Sequence, residues 1–297
     1  MRIARFTTMF AALLALFPLQ FAQASPRACA GPELRVMTYN IRLDTPVDGA
    51  NQWSARRDLF VAQLRLLRPA ILGLQEVLPG QRADLAAALP GYQVLGGGRD
   101  DGKGQGEASP LAIDSAVFKV TASGIFWLSP TPQKPSKGWD AAFPRVVTWA
   151  RLVRRSDGRR VLALNTHWDH LGTTARLESG RQIARWIAAQ RRPGETVVLV
   201  GDFNAPSDEA SLAALLADDQ AGMADARALA REPVVGGAIT FNGFVPLPTS
   251  GEAIDHVLVS RKVVVQRYHV LAETFDGRLA SDHVPVIADI ALPCAGR

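Results

Sequence analysis

Six short motifs in this chain place carboxylate, carboxamide or imidazole side chains at the ends of apolar runs. In one of them, residues 197–204, four apolar residues are followed by Gly201, Asp202, Phe203 and Asn204. A valine-rich apolar run predicts a buried strand, and polar groups at its end can hold a water, a metal ion or a phosphate oxygen. A lone Asp-x-Asn motif is also typical of an Asx turn. The choice between the two depends on the other five motifs.

Matching polar groups lie at the ends of other predicted strands. Asn40 directly follows the strand predicted at residues 34–39, and Glu76 stands two residues beyond the strand predicted at residues 70–74. The remaining polar groups of this kind are His167, Asp255, Asp282 and His283. A rigid scaffold assembles a site from distant parts of a sequence in this way, so we expect these side chains to share one site.

The chemical types of these side chains fit the hydrolysis of a phosphate ester. Carboxylate and carboxamide oxygens are ligands for Mg²⁺, with Mn²⁺ or Ca²⁺ as alternatives. Histidines beside acids transfer protons or stabilise negative charge. Such a reaction needs a cation on the phosphoryl oxygens, a group that orients or deprotonates water, and donors for the developing charge. The set therefore predicts a metal-dependent hydrolase.

The same motifs resemble those of the endonuclease/exonuclease/phosphatase superfamily, which includes DNase I, and they occur in the same order. They are the sequences VMTYNI at 36–41, LQE at 74–76, NTH at 165–167, GDFN at 201–204, IDH at 254–256 and SDHVP at 281–285. Further segments resemble a bacterial, often exported branch. Numerous strands, few helices and several hairpin turns predict an α/β sandwich with mixed or antiparallel sheets. The resemblance implies the four-layered, DNase I-like form, with two packed β-sheets flanked by helices.

The resemblance also implies roles for single residues. Glu76 is expected to be the principal metal ligand, with Asn40 and Asp282 close to the metal. His283, oriented by Asp255, is expected to act as a general acid/base or as a charge stabiliser at the phosphate. Asp202 would orient or deprotonate the attacking water, Asn204 would contact a phosphoryl oxygen, and His167 would contact the phosphate or protonate the leaving group.

Three further residues are candidates for binding the substrate. Arg145 stands where some members of the superfamily place a phosphate-binding arginine, and Glu107 stands where DNase-like members place a carboxylate partner for histidine. Arg176, in the first turn of a helix predicted at residues 175–191, is a further candidate for contacting a phosphate. The glycine-rich segment at residues 96–106 is close to a phosphate-binding P-loop, but Gly104 replaces the required Ser or Thr, so we reject that interpretation.

The length and composition favour a globular enzyme with a leader segment. Of 297 residues, 47% are hydrophobic and 21% are charged, which excludes a largely disordered chain. Two arginines, an apolar run at residues 9–21 and a small-x-small motif predict a signal peptide at 1–24, cleaved near Ala24 and Ser25. We expect a single catalytic domain at residues 25–297, periplasmic or secreted. Removal of the two arginines lowers the formal net charge from +5 to +3, so no dedicated nucleic-acid tail is indicated.

The two cysteines, Cys29 and Cys294, are predicted to form one disulfide that ties the two ends of the exported chain together. Two free thiols are the alternative. If the bridge forms, the first and last strands must be neighbours. The protein is expected to be a monomer without stable membrane insertion.

Two alternatives to a metal-dependent phosphoesterase stay open. The segment His167-Trp168-Asp169-His170 is one residue short of a zinc-hydrolase signature, because Asn165 occupies the position of the first histidine. The second alternative is a non-catalytic binding module on the same fold. The substrate is also open among nucleic acid, nucleotide, phospholipid head group and sugar phosphate.

Overall fold

The computed structural model describes residues 33–246 and 248–294, and these residues form two packed six-stranded sheets with helices on their outer faces. The strands are β1 (Leu34–Asn40), β2 (Ile71–Gln75), β3 (Tyr92–Leu95), β4 (Leu111–Asp114), β5 (Phe118–Trp127), β6 (Val146–Arg154), β7 (Arg160–His167), β8 (Glu195–Asp202), β9 (Met223–Asp225), β10 (Asp255–Ser260), β11 (Val264–Val270) and β12 (Val286–Ala291). The helices are α1 (Trp53–Leu67), α2 (Pro79–Ala88), α3 (Thr173–Gln190), α4 (Ala210–Leu216) and α5 (Ala226–Leu229).

Each sheet contains one central parallel pair and is otherwise antiparallel. The first sheet has the order β11-β12-β1-β2-β4-β3, with β1 and β2 parallel. The second has the order β5-β6-β7-β8-β10-β9, with β7 and β8 parallel. Because both strands of a parallel pair end at the same sheet edge, Asn40 lies beside Gln75 and His167 lies beside Asp202. The topology therefore brings the predicted polar strand ends together in pairs.

The alternation of side chains along the strands explains the layers. In β8, Val198 and Val200 point into the core between the two sheets, whereas Val197 and Leu199 pack with α3 and α4 on the outer face. On the outer face of the first sheet, residues of β1 and β2 pack against α1 and α2. A strand buried on both faces reads as a continuous apolar run, as in β8. The predicted four-layered α/β sandwich of two mixed sheets is confirmed.

The two sheets approach closely next to the polar strand ends. A Cβ atom at Gly73 would lie 2.3 Å from the Val200 side chain, so only glycine fits between the sheets here. Asn165 bridges the gap, because its Nδ2 donates to the carbonyl oxygens of Leu74 at 2.7 Å and Pro110 at 2.9 Å. Gln75 Nε2 in turn donates to Asn165 Oδ1 at 2.7 Å. These contacts fix the relative position of the two sheet edges that carry the site.

Most predicted elements agree with the structure, but three strands were not predicted. β4 and β9 are short, and β11 is an edge strand whose pairing with β12 is interrupted by a bulge between Val265 and Arg267. The two strands predicted around residues 116–120 and 124–128 are one strand, β5, with a register shift between Val120 and Ala122. A bulge breaks the two-residue alternation on which strand prediction depends.

The predicted signal peptide and Cys29 lie outside the described residues. The first and last strands are neighbours, as the predicted disulfide requires, because β1 pairs with β12 in antiparallel register. Among the described residues, the helices include none with the length and apolar character needed to cross a membrane.

Candidate active site

The candidate active site is built around Asp202 at the end of β8. Its Oδ2 atom accepts a hydrogen bond from Asn40 Nδ2 at 3.0 Å. The Nε2 atoms of His167 and His283 lie 3.5 and 3.7 Å from the same oxygen. The other oxygen, Oδ1, accepts the backbone N–H of Asn204 at 2.9 Å. Side chains from both sheets therefore converge on a single carboxylate.

His283 is held in place by a second carboxylate. Its Nδ1 atom lies 2.8 Å from Oδ2 of Asp255, which is fully buried at the start of β10. The ring of Phe241 packs edge-on against the imidazole, with 5.1 Å between the ring centroids. Because Asp255 holds Nδ1, the Nε2 atom points toward Asp202. A histidine fixed in this way can stabilise negative charge or exchange a proton.

The two histidines differ in charge at neutral pH. Burial lowers the pKa of His283, but the charge and hydrogen bond of Asp255 and other nearby carboxylates outweigh burial and raise the pKa to about 10. Burial and the positive charges of Arg145 and His283 lower the pKa of His167 well below its ordinary value. Burial and the charge of Asp255 raise the pKa of Asp202 to about 7. Titratable groups with displaced pKa values are typical of acid–base sites.

Oxygen ligands for a metal ion lie near the ends of β1 and β2. Glu76 accepts hydrogen bonds from Asn40 Nδ2 at 3.0 Å and from the backbone N–H of Leu43 at 3.1 Å. Asp282 reaches the same region from the loop before β12, where Ser281 Oγ donates to the Asn40 carbonyl oxygen at 2.7 Å. Burial and the negative charge of Glu76 both raise the pKa of Asp282. The two carboxylates are therefore close enough to repel each other.

Arg42 lies near these carboxylates but is hydrogen-bonded to a different one. Its guanidinium bonds Asp48 twice, at 2.8 and 2.9 Å. It approaches Glu76 and Asp282 only to 3.8 and 3.7 Å. Two carboxylates and the carboxamide of Asn40 form a set of hard oxygen donors with incomplete charge compensation. These residues fit a divalent cation such as Mg²⁺.

A second group of possible metal ligands overlaps the acid–base residues. One ligand atom each of Asp202, Asp255 and His283 lies within 4.8 Å of the others. A histidine binds a metal only when it is deprotonated, and the raised pKa of His283 favours the protonated form. The oxygen set around Glu76 is therefore the better candidate for a metal site.

Three residues of the site have a left-handed backbone conformation. The φ angles are +57° at Arg42, +62° at Glu76 and +47° at Asn204. Non-glycine residues seldom adopt this conformation, and such strain is concentrated at functional sites. At Arg42 the conformation is stabilised by its backbone N–H, which donates to Asn40 Oδ1 at 3.0 Å.

The eight residues predicted as catalytic groups or metal ligands come together, and six of them line a cleft of about 640 Å³. Asn40 and Asp255 lie just beneath its surface, each fully buried. Asn204 lines the cleft, but its Nδ2 donates to the Trp168 carbonyl oxygen at 3.0 Å. The cleft is therefore one site assembled from six strand ends, as the sequence predicts.

The three predicted substrate-binding residues have different positions. Arg145 lines the cleft and is buried, with Nε 3.3 Å from Asp169 Oδ2. Glu107 also lines the cleft, but its partner is the guanidinium of Arg99 at 2.7 Å. Arg176 is held away from the cleft lining, because it pairs with Glu209 at 2.9 Å.

Several residues of the cleft were missed by sequence analysis. Their common feature is a position in loops, where no periodicity marks them: Arg42, Arg99, Phe143, Phe241 and Phe244. Arg56 supports the site from α1, where it donates to the carbonyl oxygens of Arg42 at 2.7 Å and Ala280 at 3.1 Å. An arginine four residues before Phe60 on the buried face of α1 was a signal that could have revealed it.

The residues of the zinc alternative are engaged in other contacts. Asp169 accepts backbone N–H groups from Ala142 at 3.0 Å and Gly172 at 2.8 Å. Arg145 contacts Asp169 through Nε and lies 3.1 Å from His170 Nδ1 through Nη2. A guanidinium between these two side chains disfavours a zinc ion there, because it supplies the positive charge already.

Comparisons with known proteins agree with this geometry. A protein of the endonuclease/exonuclease/phosphatase family from Bacteroides vulgatus is 36% identical, with 88% of this chain and 100% of that chain covered at a TM-score of 0.83. A protein of the same family from Bacteroides thetaiotaomicron is 33% identical, and the alignment covers 89% of this chain and 100% of that chain at a TM-score of 0.83. A mannosyl-6-phosphatase from Bacteroides thetaiotaomicron is 33% identical, and the alignment covers 87% of this chain and 99% of that chain at a TM-score of 0.81.

The comparison with curated proteins gives no significant match. The model of the Endonuclease/Exonuclease/phosphatase family matches residues 37–283, which include every predicted polar residue of the cleft from Asn40 to His283. This chain therefore belongs to the endonuclease/exonuclease/phosphatase family and is a hydrolase that acts on phosphate ester bonds.

Proposed function

We propose that this protein is an exported phosphoesterase that depends on a divalent metal ion and hydrolyses its substrate by in-line attack of water. The observation that carries the proposal is the convergence of His167, His283 and Asn40 on Asp202 Oδ2. The carboxylate of Glu76 lies close to that of Asp202, because Asn40 Nδ2 donates to both, at 3.0 Å each.

The side chains divide the reaction as follows. Asp202 accepts a proton from the attacking water, because its pKa is raised to about 7 and it can exchange a proton near neutral pH. The imidazolium of His283 stabilises charge on a phosphoryl oxygen through Nε2. The pKa of His167 is lowered well below its ordinary value, so it is neutral, and its Nε2 lies 3.5 Å from Asp202 Oδ2. We assign it a hydrogen bond to the phosphate or the leaving-group oxygen. Nδ2 of Asn204 carries two N–H donors; one is donated to the Trp168 carbonyl oxygen, and we assign the other to a phosphoryl oxygen.

Glu76, Asn40 and Asp282 would hold the cation, which supplies Lewis-acid compensation of charge on the phosphoryl oxygens. We propose Mg²⁺, with Mn²⁺ or Ca²⁺ as alternatives, because all three donors are hard oxygens. Arg42 retains its two bonds to Asp48 and adds positive charge at the edge of the same group.

The similarity to a mannosyl-6-phosphatase supports a sugar phosphate as the substrate class. Nucleic acid, nucleotides and phospholipid head groups are the competing classes. The test is a panel of p-nitrophenyl phosphate, bis-p-nitrophenyl phosphate, mannose 6-phosphate, plasmid DNA, RNA and sphingomyelin, each with Mg²⁺, with Mn²⁺ or with a chelator. We expect metal-dependent release of product from at least one phosphate ester. Hydrolysis at the same rate in the chelator would contradict the proposed metal dependence.

We also propose that residues 1–24 are removed on export and that residues 25–297 act as one catalytic domain in a monomer. The basis is the n-region, apolar run and cleavage motif of the sequence. Amino-terminal sequencing of the exported protein should begin near Ser25. Mass mapping without reductant should recover a peptide pair that contains Cys29 and Cys294, and recovery of both thiols free would contradict the disulfide.

A further inference from the structure

The glycine-rich segment between β3 and β4 has no part in the proposed phosphate chemistry, yet it is tightly ordered beside the cleft. Backbone hydrogen bonds join Gly98 to Lys103 at 3.1 Å and Arg99 to Glu107 at 2.9 Å. A Cβ atom at Gly98 would lie 2.0 Å from the Gln105 carbonyl oxygen. Only glycine therefore fits at residue 98, where the two halves of the segment approach each other. The segment therefore holds Arg99 and Glu107 in fixed positions.

Arg99 and Glu107 form an ion pair that lines the cleft. Arg99 Nη2 lies 2.7 Å from Glu107 Oε1, and the two side chains are 10% and 17% exposed. The guanidinium of Arg99 also lies over the ring of Phe143, 4.6 Å from its centroid. Phe143 is 47% exposed and lines the cleft, so its ring presents an apolar surface there. Together these residues form a wall with hydrogen-bond donors, acceptors and an apolar surface.

Arg145 extends this wall toward the acid–base residues. Its Nη2 atom lies 3.1 Å from Nδ1 of His170, and the imidazole of His170 lies nearly parallel to the Phe143 ring, with 6.1 Å between centroids. Among the described residues, no hydrogen-bond partner is present for the buried Nη1 of Arg145 or the buried Nε of Arg99. The wall, defined by Arg99, Glu107, Phe143, Arg145 and His170, lines the cleft together with His167, and these two donors lie buried behind its surface.

The charge of the wall indicates what it binds. The positive charges of Arg99 and Arg145 are balanced by the carboxylates of Glu107 and Asp169. The wall therefore has no excess positive charge with which to bind an anion besides the phosphate. Stacking of a nucleobase is disfavoured, because the Phe143 ring already packs against Arg99 and His170. Fixed donors and acceptors beside an apolar surface match a ring that bears several hydroxyl groups.

We infer that this wall is the subsite for the leaving group and that it binds the sugar ring of a sugar monophosphate. The inference rests on the proposed phosphoesterase function, in which a sugar phosphate is the favoured substrate class, and adds the residues that select the sugar. The phosphate lies at Asp202 and His283, and the sugar hydroxyls face the Arg99–Glu107 pair and Arg145.

The test compares four phosphomonoesters with the wild-type protein and Mg²⁺. They are mannose 6-phosphate, glycerol 3-phosphate, AMP and phosphatidic acid in vesicles, with p-nitrophenyl phosphate as the common reference. We expect mannose 6-phosphate to have the highest kcat/KM of the four, about tenfold or more above the acyclic glycerol 3-phosphate, since contacts to the sugar ring contribute to that difference. Equal values for these two, or a preference for AMP or for the vesicles, would overturn the inference.

Two variants test whether the selectivity for the sugar depends on residues of the wall. Phe143→Ala and Glu107→Gln should lower the ratio of kcat/KM for mannose 6-phosphate to that for p-nitrophenyl phosphate by about tenfold. Leu66→Ala and Glu178→Gln are matched controls, because Leu66 is an exposed apolar residue on α1 and Glu178 pairs with Arg181 on α3. The controls should leave the ratio unchanged. A purely structural role would lower both activities together and leave the ratio constant, which would overturn the inference.

The wild-type measurement does not depend on the folding of any variant. If neither these five monoesters nor bis-p-nitrophenyl phosphate, DNA, RNA and sphingomyelin are hydrolysed with Mg²⁺ or Mn²⁺, the proposed function itself fails. If only the diesters are hydrolysed, the proposed function stands and the inference is overturned. If p-nitrophenyl phosphate is hydrolysed without selectivity for the sugar, only the assignment of the subsite fails.

Discussion

Asp255 and His283 form a buried pair in which Nδ1 of the imidazole lies 2.8 Å from Oδ2 of the carboxylate. Asp255 is 0% exposed and is placed by its register opposite Asp202 in the antiparallel pairing of β10 with β8. Among the described residues, the other oxygen of Asp255 has no hydrogen-bond partner. Asp255 therefore contacts Nδ1 of His283, and its charge and hydrogen bond raise the pKa of that histidine.

Replacement of Asp255 by Asn should lower kcat by about 10²- to 10⁴-fold, the range for loss of an acid–base group. The isosteric amide keeps the volume but removes the charge that raises the pKa of His283. The measurement is steady-state hydrolysis of p-nitrophenyl phosphate with Mg²⁺. Asp289→Asn is the control, because Asp289 is a buried acid on β12 that pairs with Arg35 and Arg267. Asp255→Asn with a kcat within about threefold of wild type would contradict the proposed pair.

The pKa of His283 also predicts how stability depends on pH. The folded-state pKa is about 10, above the value of about 6.5 for an unfolded histidine. The stabilisation from the charged imidazole is therefore fully present below about pH 6.5 and is lost as the pH rises through 10. In urea unfolding with a chelator present, the difference in unfolding free energy between wild type and His283→Gln should shrink over this interval. A difference that grows with pH would contradict the assignment.

The metal site can be tested without measuring activity. Mg²⁺ that binds only the folded protein should raise the unfolding free energy by about 2.7 kcal/mol at 100 times its Kd, and Tm should rise with it. Glu76→Gln should remove most of this Mg²⁺-dependent increase, whereas Glu178→Gln on α3 should keep it. If Asp255→Asn removes the increase and Glu76→Gln does not, the cation lies instead with Asp202, Asp255 and His283.

Two variants of Asn204 separate the effect of its backbone conformation on stability from the effect of its side chain on kcat. Its φ of +47° favours glycine, so Asn204→Ala should lose about 1 kcal/mol of unfolding free energy relative to Asn204→Gly. Both variants lack the carboxamide, so both should have similarly reduced kcat. The check is urea unfolding together with hydrolysis of p-nitrophenyl phosphate. Wild-type kcat in Asn204→Gly would contradict a phosphate contact by the side chain.

Sequence reasoning located the strand ends of the site because burial and polarity change abruptly there. Each predicted acid–base or metal residue follows or precedes a strand that is almost entirely buried, such as β2 or β8. The two central parallel pairs then place these ends at one edge. Local pattern and topology agree here, which is why residues as distant as Asn40 and His283 were correctly grouped.

The ion-pair partners of several charged residues could not be predicted from the sequence, because they depend on which segments lie close together in the fold. Arg176 was a candidate for binding phosphate, but Glu209, 33 residues later, approaches to 2.9 Å and holds its guanidinium. Glu107 was expected beside a histidine, whereas the turn of the glycine-rich segment brings Arg99 to it. Phe143 and Phe241 carry no periodic signal, and only the folded loops place them at the cleft.

The central claim is that one cleft combines a cation on Glu76 with an acid–base centre on His283 and Asp202. The most direct test is hydrolysis of p-nitrophenyl and bis-p-nitrophenyl phosphate, with Mg²⁺, by wild type, Glu76→Gln and His283→Gln. Circular dichroism should show that all three are folded. We predict that the wild type hydrolyses at least one of the two esters and that both variants lose at least about 10²-fold in kcat. Undiminished hydrolysis by both folded variants would contradict the account.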